Sequence, residues 1–264
     1  EINWKPKSTG EGRFGNWLEN ANDWNLSRSR YWGIPLPIWS TEDGTERKIF
    51  GSVEELKAAC DEAIKAGLMD SHPFESFEPG NMDEANYDTV DLHRNVVDEV
   101  VLLSPKGQPM HRESDLIDVW FDSGAMPYAQ LHYPFENKDK LTTQYPADFI
   151  AEGVDQTRGW FYSQLAISTL MFGDEQQPPH PFKNCVCLGH IMGEDGLKLS
   201  KRLKNYSEPS LLFEKFSADA LRWSFIAKNS PTTSTRFGVV AGVKRSPPHS
   251  NSRPADGLTR QEIQ

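Results

Sequence analysis

The segment from residue 148 to 230 constrains the fold more than any other. "DFIAEG" (Asp148–Gly153) reads as a short strand that breaks at Gly153. The chain then continues to Phe172 as an amphipathic helix with an apolar stripe through Trp160, Leu165, Ile167 and Leu170. "KNCVCLGHIM" (Lys183–Met192) reads as a buried strand and is followed by a glycine-bearing loop. "PSLLFEKFSADALRWSFIAKNS" (Pro209–Ser230) is helical again, with Ser217 or Asp219 as the cap of a second helical piece. Strand, helix, strand, loop, helix is an α/β arrangement, most simply a parallel sheet, because parallel neighbours need a crossover of helix length.

The earlier part of the chain is less regular. "WGIPLPIW" (Trp32–Trp39) carries Pro35 and Pro37 two apart, which excludes a helix and predicts an extended edge or loop. "SVEELKAACDEAIKAG" (Ser52–Gly67) predicts a helix. Ser52 and Glu55 form a capping box, Val53, Leu56, Ala59, Ala63 and Ile64 an apolar stripe, and Gly67 a stop. Residues 69–88 are acidic with Pro and Gly and read as a surface loop, whereas "VVDEVVLL" (Val96–Leu103) reads as a strand. From about Thr232 the chain turns rich in Ser, Pro and Arg, and disorder or poor packing is expected.

The 264 residues hold 28 Lys plus Arg against 38 Asp plus Glu, a net charge of −10 with His neutral. That balance works against broad, non-specific polyanion binding, so any phosphate site must be a local patch. Three cysteines, Cys60, Cys185 and Cys187, argue against a disulfide framework and fit a reducing compartment. Cys185-x-Cys187 reads as two strand residues on one face rather than as half of a zinc site. No apolar run reaches the length of a membrane span, and no signal-peptide pattern opens the chain. Its start, lacking Met, reads as the middle of a longer protein.

Three constellations carry chemistry, each with a plainer alternative. In "GEDGLKLSKRLK", Lys198, Lys201, Arg202 and Lys204 follow a turn made flexible by Gly193 and Gly196. Lysines there suit a triphosphate and the charge that builds on it in a transition state; the alternative is a solvated basic face. In "AEGVDQTRGW" (Ala151–Trp160), Glu152, Gly153, Asp155 and Gln156 occupy a strand-to-helix junction, where open α/β sheets bind ligands. Carboxylates suit an ammonium group or ribose hydroxyls; the alternative is helix capping by Asp155. In "DLIDVWFDSGAMPYAQ" (Asp115–Gln130), Trp120 and Phe121 beside Gly124 can wall a small apolar pocket, or simply pack a core.

Taken in order, these blocks resemble the class I aminoacyl-tRNA synthetases, of the isoleucyl type. "KLSKR" (Lys198–Arg202), with "KNY" after it, resembles the mobile K-M-S-K-S signature. "GRFGNWLENANDWNLSRSRYWGIPLPIW" (Gly12–Trp39) resembles the return from the editing insertion into the catalytic domain. "WFDSG" (Trp120–Gly124) is the isoleucyl form, where valyl relatives carry W-F-S-S-A. The resemblance covers residues 1–231. It implies an α/β fold: the C-terminal half of a Rossmann-like class I synthetase catalytic domain with a small inserted α+β segment. The trailing edge of the editing insertion would be 1–25 and the catalytic domain 26–205, with the insertion at about 51–110. A helical stem-contact region would start over 206–231, leaving 232–264 unmatched.

The resemblance also implies roles. Lys201 would bind ATP and stabilise the transferring phosphates, with Lys198 and Ser200 supporting the loop. Glu152 and Gly153 would face the aminoacyl-adenylate, Glu152 at its amino end. Asp155 and Gln156 would reach the ribose or the amino acid, and Trp120 and Trp160 would line an isoleucine pocket. Arg28 and Arg30 would be structural or close to tRNA. Partners would be isoleucine, ATP with Mg2+, and tRNA(Ile), in a cytoplasmic monomer with no membrane association and no structural zinc in this segment. The H-I-G-H signature is absent, and "GHIM" (Gly189–Met192) is not that motif. The isolated chain is therefore expected to be inactive; the alternative function is a non-catalytic tRNA- or nucleotide-binding fragment.

Overall fold

The computed structural model describes residues 1–20, 22–173, 179–193, 195–200, 202 and 205–237. Two compact units result, Glu1–Ala21 with Pro127–Gln264, and Asn22–Met126. In chain order the elements used below are β1 (Asn3–Lys5), β2 (Ser27–Arg28), β3 (Ile38–Ser40), β4 (Arg47–Ile49), α1 (Val53–Lys65), β5 (Leu102–Leu103), β6 (Pro109–Arg112), β7 (Leu116–Ile117) and α2 (Val119–Gly124). There follow β8 (Ala147–Gly153), α3 (Trp160–Phe172), β9 (Phe182–Leu188), β10 (Ile191–Met192), α4 (Pro209–Phe216), α5 (Ala218–Lys228) and β11 (Thr235–Arg236).

In the first unit β8 crosses over through α3 to pair in parallel with β9, with Ile150 opposite Cys185 and Gly153 opposite Leu188. β1 pairs in parallel on the other side of β9, giving the order β1-β9-β8. Phe14, Phe161, Phe182, Cys185 and Cys187 form the core beneath this sheet. Both cysteines of Cys-x-Cys are buried on one face of β9, as a strand period of two requires. Trp4 packs at the edge of this cluster, and its ring fills the space a Cβ would need at Gly10.

The stripe expected along α3 is rotated. Phe161, Gln164, Ser168 and Phe172, spaced three and four apart, are buried together with Ile167, whereas Leu170 is 82% exposed. The buried polar residues explain the error: the Tyr145 hydroxyl bonds Ser168 Oγ, and Ser163 Oγ donates to the Trp160 carbonyl. Ser217 caps α5 by accepting from the Ala220 amide, as one of the two expected alternatives.

Residues 232–237 depart from the expected disorder. β11 pairs in parallel with β10, and the Gly189 amide donates to the Pro231 carbonyl. This approach is possible because Gly189 lacks a Cβ; one would strike the backbone of Thr233 and Ser234. The rest of the tail, 238–264, lies outside the described residues.

In the second unit an antiparallel sheet in the order β4-β3-β6-β5 packs on α1 around Trp39, Leu56, Cys60, Phe74, Val100, Leu102 and Met110. The Ser52 hydroxyl accepts from the Glu55 amide at 3.1 Å, and Glu55 reaches back to the Gly51 amide at 2.9 Å, one residue earlier than the standard box. Gly67, at φ +76°, ends the helix in the left-handed conformation. Two readings fail here. Most of Val96–Leu103 is not strand: Arg94–Val97 is a helical turn, and only Leu102–Leu103 pairs. Val97 and Val100 are buried at a spacing of three while Asp98 bridges Arg94 and Arg112, so ion pairing and burial override β propensity. Nor is 69–88 merely a surface loop. Phe74 is fully buried, held by the Phe74 amide donating to His72 Nδ1, while the His72 Nε2–H reaches Asp61 at 3.0 Å.

Candidate active site

The first unit brings the candidate residues of the acidic turn and the start of the lysine segment to the carboxyl ends of β8 and β9. Glu152, exposed, is the next-to-last residue of β8 and lies opposite Cys187. After Gly153 the chain enters a 3-10 turn over Val154–Arg158, pinned by Thr157, whose buried hydroxyl donates to the Val154 carbonyl and accepts from Arg13 Nε at 2.9 Å. The helix cap expected of Asp155 is made by its neighbour: Gln156 Oε1 accepts the Trp160 amide at 3.0 Å. Asp155 is thereby left to other work. Its Oδ1 lies 2.6 Å from where a Gly153 Cβ would stand, so the carboxylate folds into space that only glycine leaves open. The same oxygen lies 3.8 Å from His190 Nε2. Trp160 opens α3, half-buried against the core.

The lysine segment forms a hairpin. The Gly193 amide donates to Leu197 O, Met192 bridges Lys198, and Gly196 adopts φ +78°. Asn205, from the "KNY" that follows the signature, then spans the loop. Its Oδ1 accepts the Ser200 amide at 2.9 Å, and its Nδ2 donates to Lys198 O at 3.3 Å. Lys198 is exposed and Ser200 half-buried. Lys201 and Lys204 lie outside the described residues. Arg236 lies close over Gly196 and adds a cation beside the hairpin.

Trp120 belongs to the second unit. It is 41% exposed, which rules out the plain core alternative. There it lines a cavity of about 440 Å³ with Arg28, Arg30, Trp32, Ile34 and Asp118. Asp118 organises this cavity. Buried, it accepts from Trp24 Nε1 at 2.9 Å, from Arg28 at 2.6 Å and from the Trp120 amide at 3.2 Å. Arg28 is thus held structurally, one of the two roles expected for it.

Asn205, Thr157, His190 and Asp118 were not singled out from the sequence. Only the Asn of "KNY" and the Asp two residues before "WF" offered a local signal. Among the described residues no cluster of three or more His, Cys, Asp or Glu side chains stands ready to hold a metal ion, and no helix is long and apolar enough to cross a membrane.

Comparison with known proteins shows the family of the chain. Residues 1–237 match the family model of tRNA synthetases class I (I, L, M and V). The isoleucine–tRNA ligase of Bacteroides thetaiotaomicron is 56% identical over 242 residues, 90% of this chain and 20% of that protein. That of Porphyromonas gingivalis is 55% identical over 249 residues, 93% of this chain and 22% of that protein. The cytoplasmic isoleucine–tRNA ligase of Schizosaccharomyces pombe is 43% identical, covering 87% and 19%. The chain spans about one fifth of the length of these curated relatives. Among solved structures, the ternary complex of Agrobacterium radiobacter K84 agnB2 LeuRS with tRNA and LeuAMS has a similar fold, with TM-score 0.54 at 20% identity, over 85% of this chain and 28% of that one.

Proposed function

We propose, from the premise that this chain belongs to the class I tRNA synthetases (I, L, M and V), that it is a catalytic segment of an isoleucine–tRNA ligase. The complete protein would join isoleucine to ATP as isoleucyl-adenylate, then pass the acyl group to the terminal ribose of tRNA(Ile). Magnesium would arrive with ATP, as part of the substrate. The observation that carries this reading is the meeting of two blocks at one sheet edge. Gly153 pairs with Leu188 at the carboxyl ends of adjacent parallel strands, so the acidic turn 152–156 and the start of the lysine hairpin share that edge.

Each residue's part follows from its charge and place. Glu152, an exposed carboxylate near a strand end with no hydrogen-bond partner among the described residues, receives the ammonium group of the amino acid. Asp155 and Gln156 face the ribose, Gly153 leaving room for the Asp155 carboxylate. Trp160, in the first unit, and Trp120, in the cavity of the second, are each an apolar contact offered to the isoleucine side chain. Lys198, Ser200 and Lys201 meet the triphosphate, where cations stabilise the charge that develops as the isoleucine carboxylate attacks the α-phosphorus and pyrophosphate leaves. No covalent enzyme intermediate is required, so positioning and charge stabilisation do the chemistry. Isoleucine-dependent exchange of labelled pyrophosphate into ATP by the complete protein tests the reading. Exchange driven by another amino acid, or none, sinks it.

A further inference from the structure

His190 stands between the two blocks, and the lysine-loop chemistry leaves it unused. Its backbone is fixed: the amide donates to Ser234 Oγ at 3.1 Å, and the carbonyl accepts from the Thr235 amide at 2.8 Å. The ring therefore cannot drift far from the carboxyl edge of β9. Its Nε2 is buried and has no hydrogen-bond partner among the described residues, although the side chain as a whole is 32% exposed. An orphaned buried imidazole nitrogen is costly, and native proteins rarely keep one unless a partner can reach it. The nearest acidic oxygen is Asp155 Oδ1, at 3.8 Å.

Asp155 shows the complementary deficit. Its backbone is held by the Thr157-pinned turn, yet its side chain is 52% exposed, so nothing but its surroundings fixes the direction of the carboxylate. Oδ1 already leans into the space left by Gly153, on the side that faces His190. A shift of about 1 Å would bring the pair to ordinary hydrogen-bond distance. Such contacts are often long in an empty site and tighten when ligand binds.

We propose that His190 is a positioning residue for the nucleotide ribose: it donates from Nε2 to Asp155 Oδ1, leaving Oδ2 to accept a ribose hydroxyl of ATP and of the adenylate. This inference rests on the synthetase reading of the site and extends it to a residue outside both motifs. Gly153, Asp155 and His190 then act as one device. The glycine admits the carboxylate, the histidine orients it, and the ligand takes the remaining oxygen.

The test is pyrophosphate exchange by the complete protein, comparing the unaltered enzyme with His190→Phe and His190→Gln. Phe keeps a ring of similar bulk and removes the donor; Gln keeps a donor. His190→Phe raises KM for ATP about tenfold, the effect of losing one hydrogen bond to a charged group, while KM for isoleucine changes less than about twofold. His190→Gln recovers most of the ATP affinity. A merely structural role would raise both KM values or lower kcat alone, and would not separate Gln from Phe. Unaltered KM for ATP in His190→Phe, equal losses for both substrates, or equal damage by Phe and Gln overturns the inference while the synthetase reading stands. Absence of exchange by the unaltered protein overturns that reading and the inference with it.

Discussion

The Arg28 guanidinium meets the Asp118 carboxylate at 2.6 Å, with Asp118 buried and Arg28 about one-third exposed. Asp118 also takes the Trp24 indole N–H and the Trp120 amide, so one carboxylate ties β2 to the start of α2 and holds the cavity wall in place. Asp118→Ala strands the guanidinium and removes the helix cap. A broken buried pair typically costs about 3–5 kcal/mol, and the exposure of Arg28 reduces that to about 2–3 kcal/mol. Asp118→Asn keeps an acceptor oxygen and loses less. Urea titrations of the variants report the difference, and a loss below about 0.5 kcal/mol for Asp118→Ala would remove Asp118 from its central place.

Gly189→Ala tests the close approach behind the lysine hairpin. The added methyl strikes the backbone of Thr233 and Ser234, which cannot rotate away as a side chain tip would. The β10–β11 pairing should open, destabilising this region by roughly 2 kcal/mol. Hydrogen exchange reads this locally. The Thr235 and Phe237 amides, which donate to His190 O and Met192 O, exchange at least tenfold faster in the variant. Unchanged protection at both would show that the approach is not tight in solution.

What could be read in the chain beforehand was whatever local chemistry decides. Ser52, Glu55 and Gly67 delimit α1 because capping bonds and a left-handed stop act within a few residues. The strand–helix–strand order of 147–188 was legible from its periods and its break at Gly153. The larger failures are non-local. Val96–Leu103 looks like a strand until Asp98 meets Arg112, fourteen residues away. Leu170 looks buried until Ser168 pairs with Tyr145. At the site, Asp155 and His190 are thirty-five positions apart, and neither residue hints at the other. Only the β8–β9 register brings them to one edge.

Asp98 gives the second unit an acid-sensitive clamp. Its partial burial raises the pKa of its carboxyl, but hydrogen bonds from Arg112 and Arg94 outweigh that and hold it below the ordinary value. A carboxyl depressed on folding contributes stability above its unfolded pKa, near 3.9, and loses it as pH falls through the folded value. The unit should therefore lose stability below about pH 4, with Asp98 among the causes. Asp98→Asn lowers stability at pH 7 and flattens this acid limb, since the amide has no charge to lose. Stability–pH curves of the two proteins that run parallel from pH 6 to 2 would contradict the assignment.

Cysteine reactivity offers a test of the cores. Cys60 is fully buried on α1, and burial, with the charge of Asp61 beside it, pushes its thiol up to about 12. Cys185 is raised as well, by its contact with Cys187 Sγ at 3.8 Å and by burial. The thiolate is the reactive form, and an ordinary thiol ionises near 8.5. At pH 8 a pKa near 12 leaves the ionised fraction about a thousandfold lower, before any loss of access is counted. With Cys185 and Cys187 replaced by Ala, labelling of Cys60 by an aromatic disulfide reagent should be slow in native buffer and immediate in denaturant. Its rate should follow the opening of α1 from the sheet, rising with urea along the same curve as the loss of helix signal. Rapid labelling in native buffer would mean that α1 does not cover Cys60 as described.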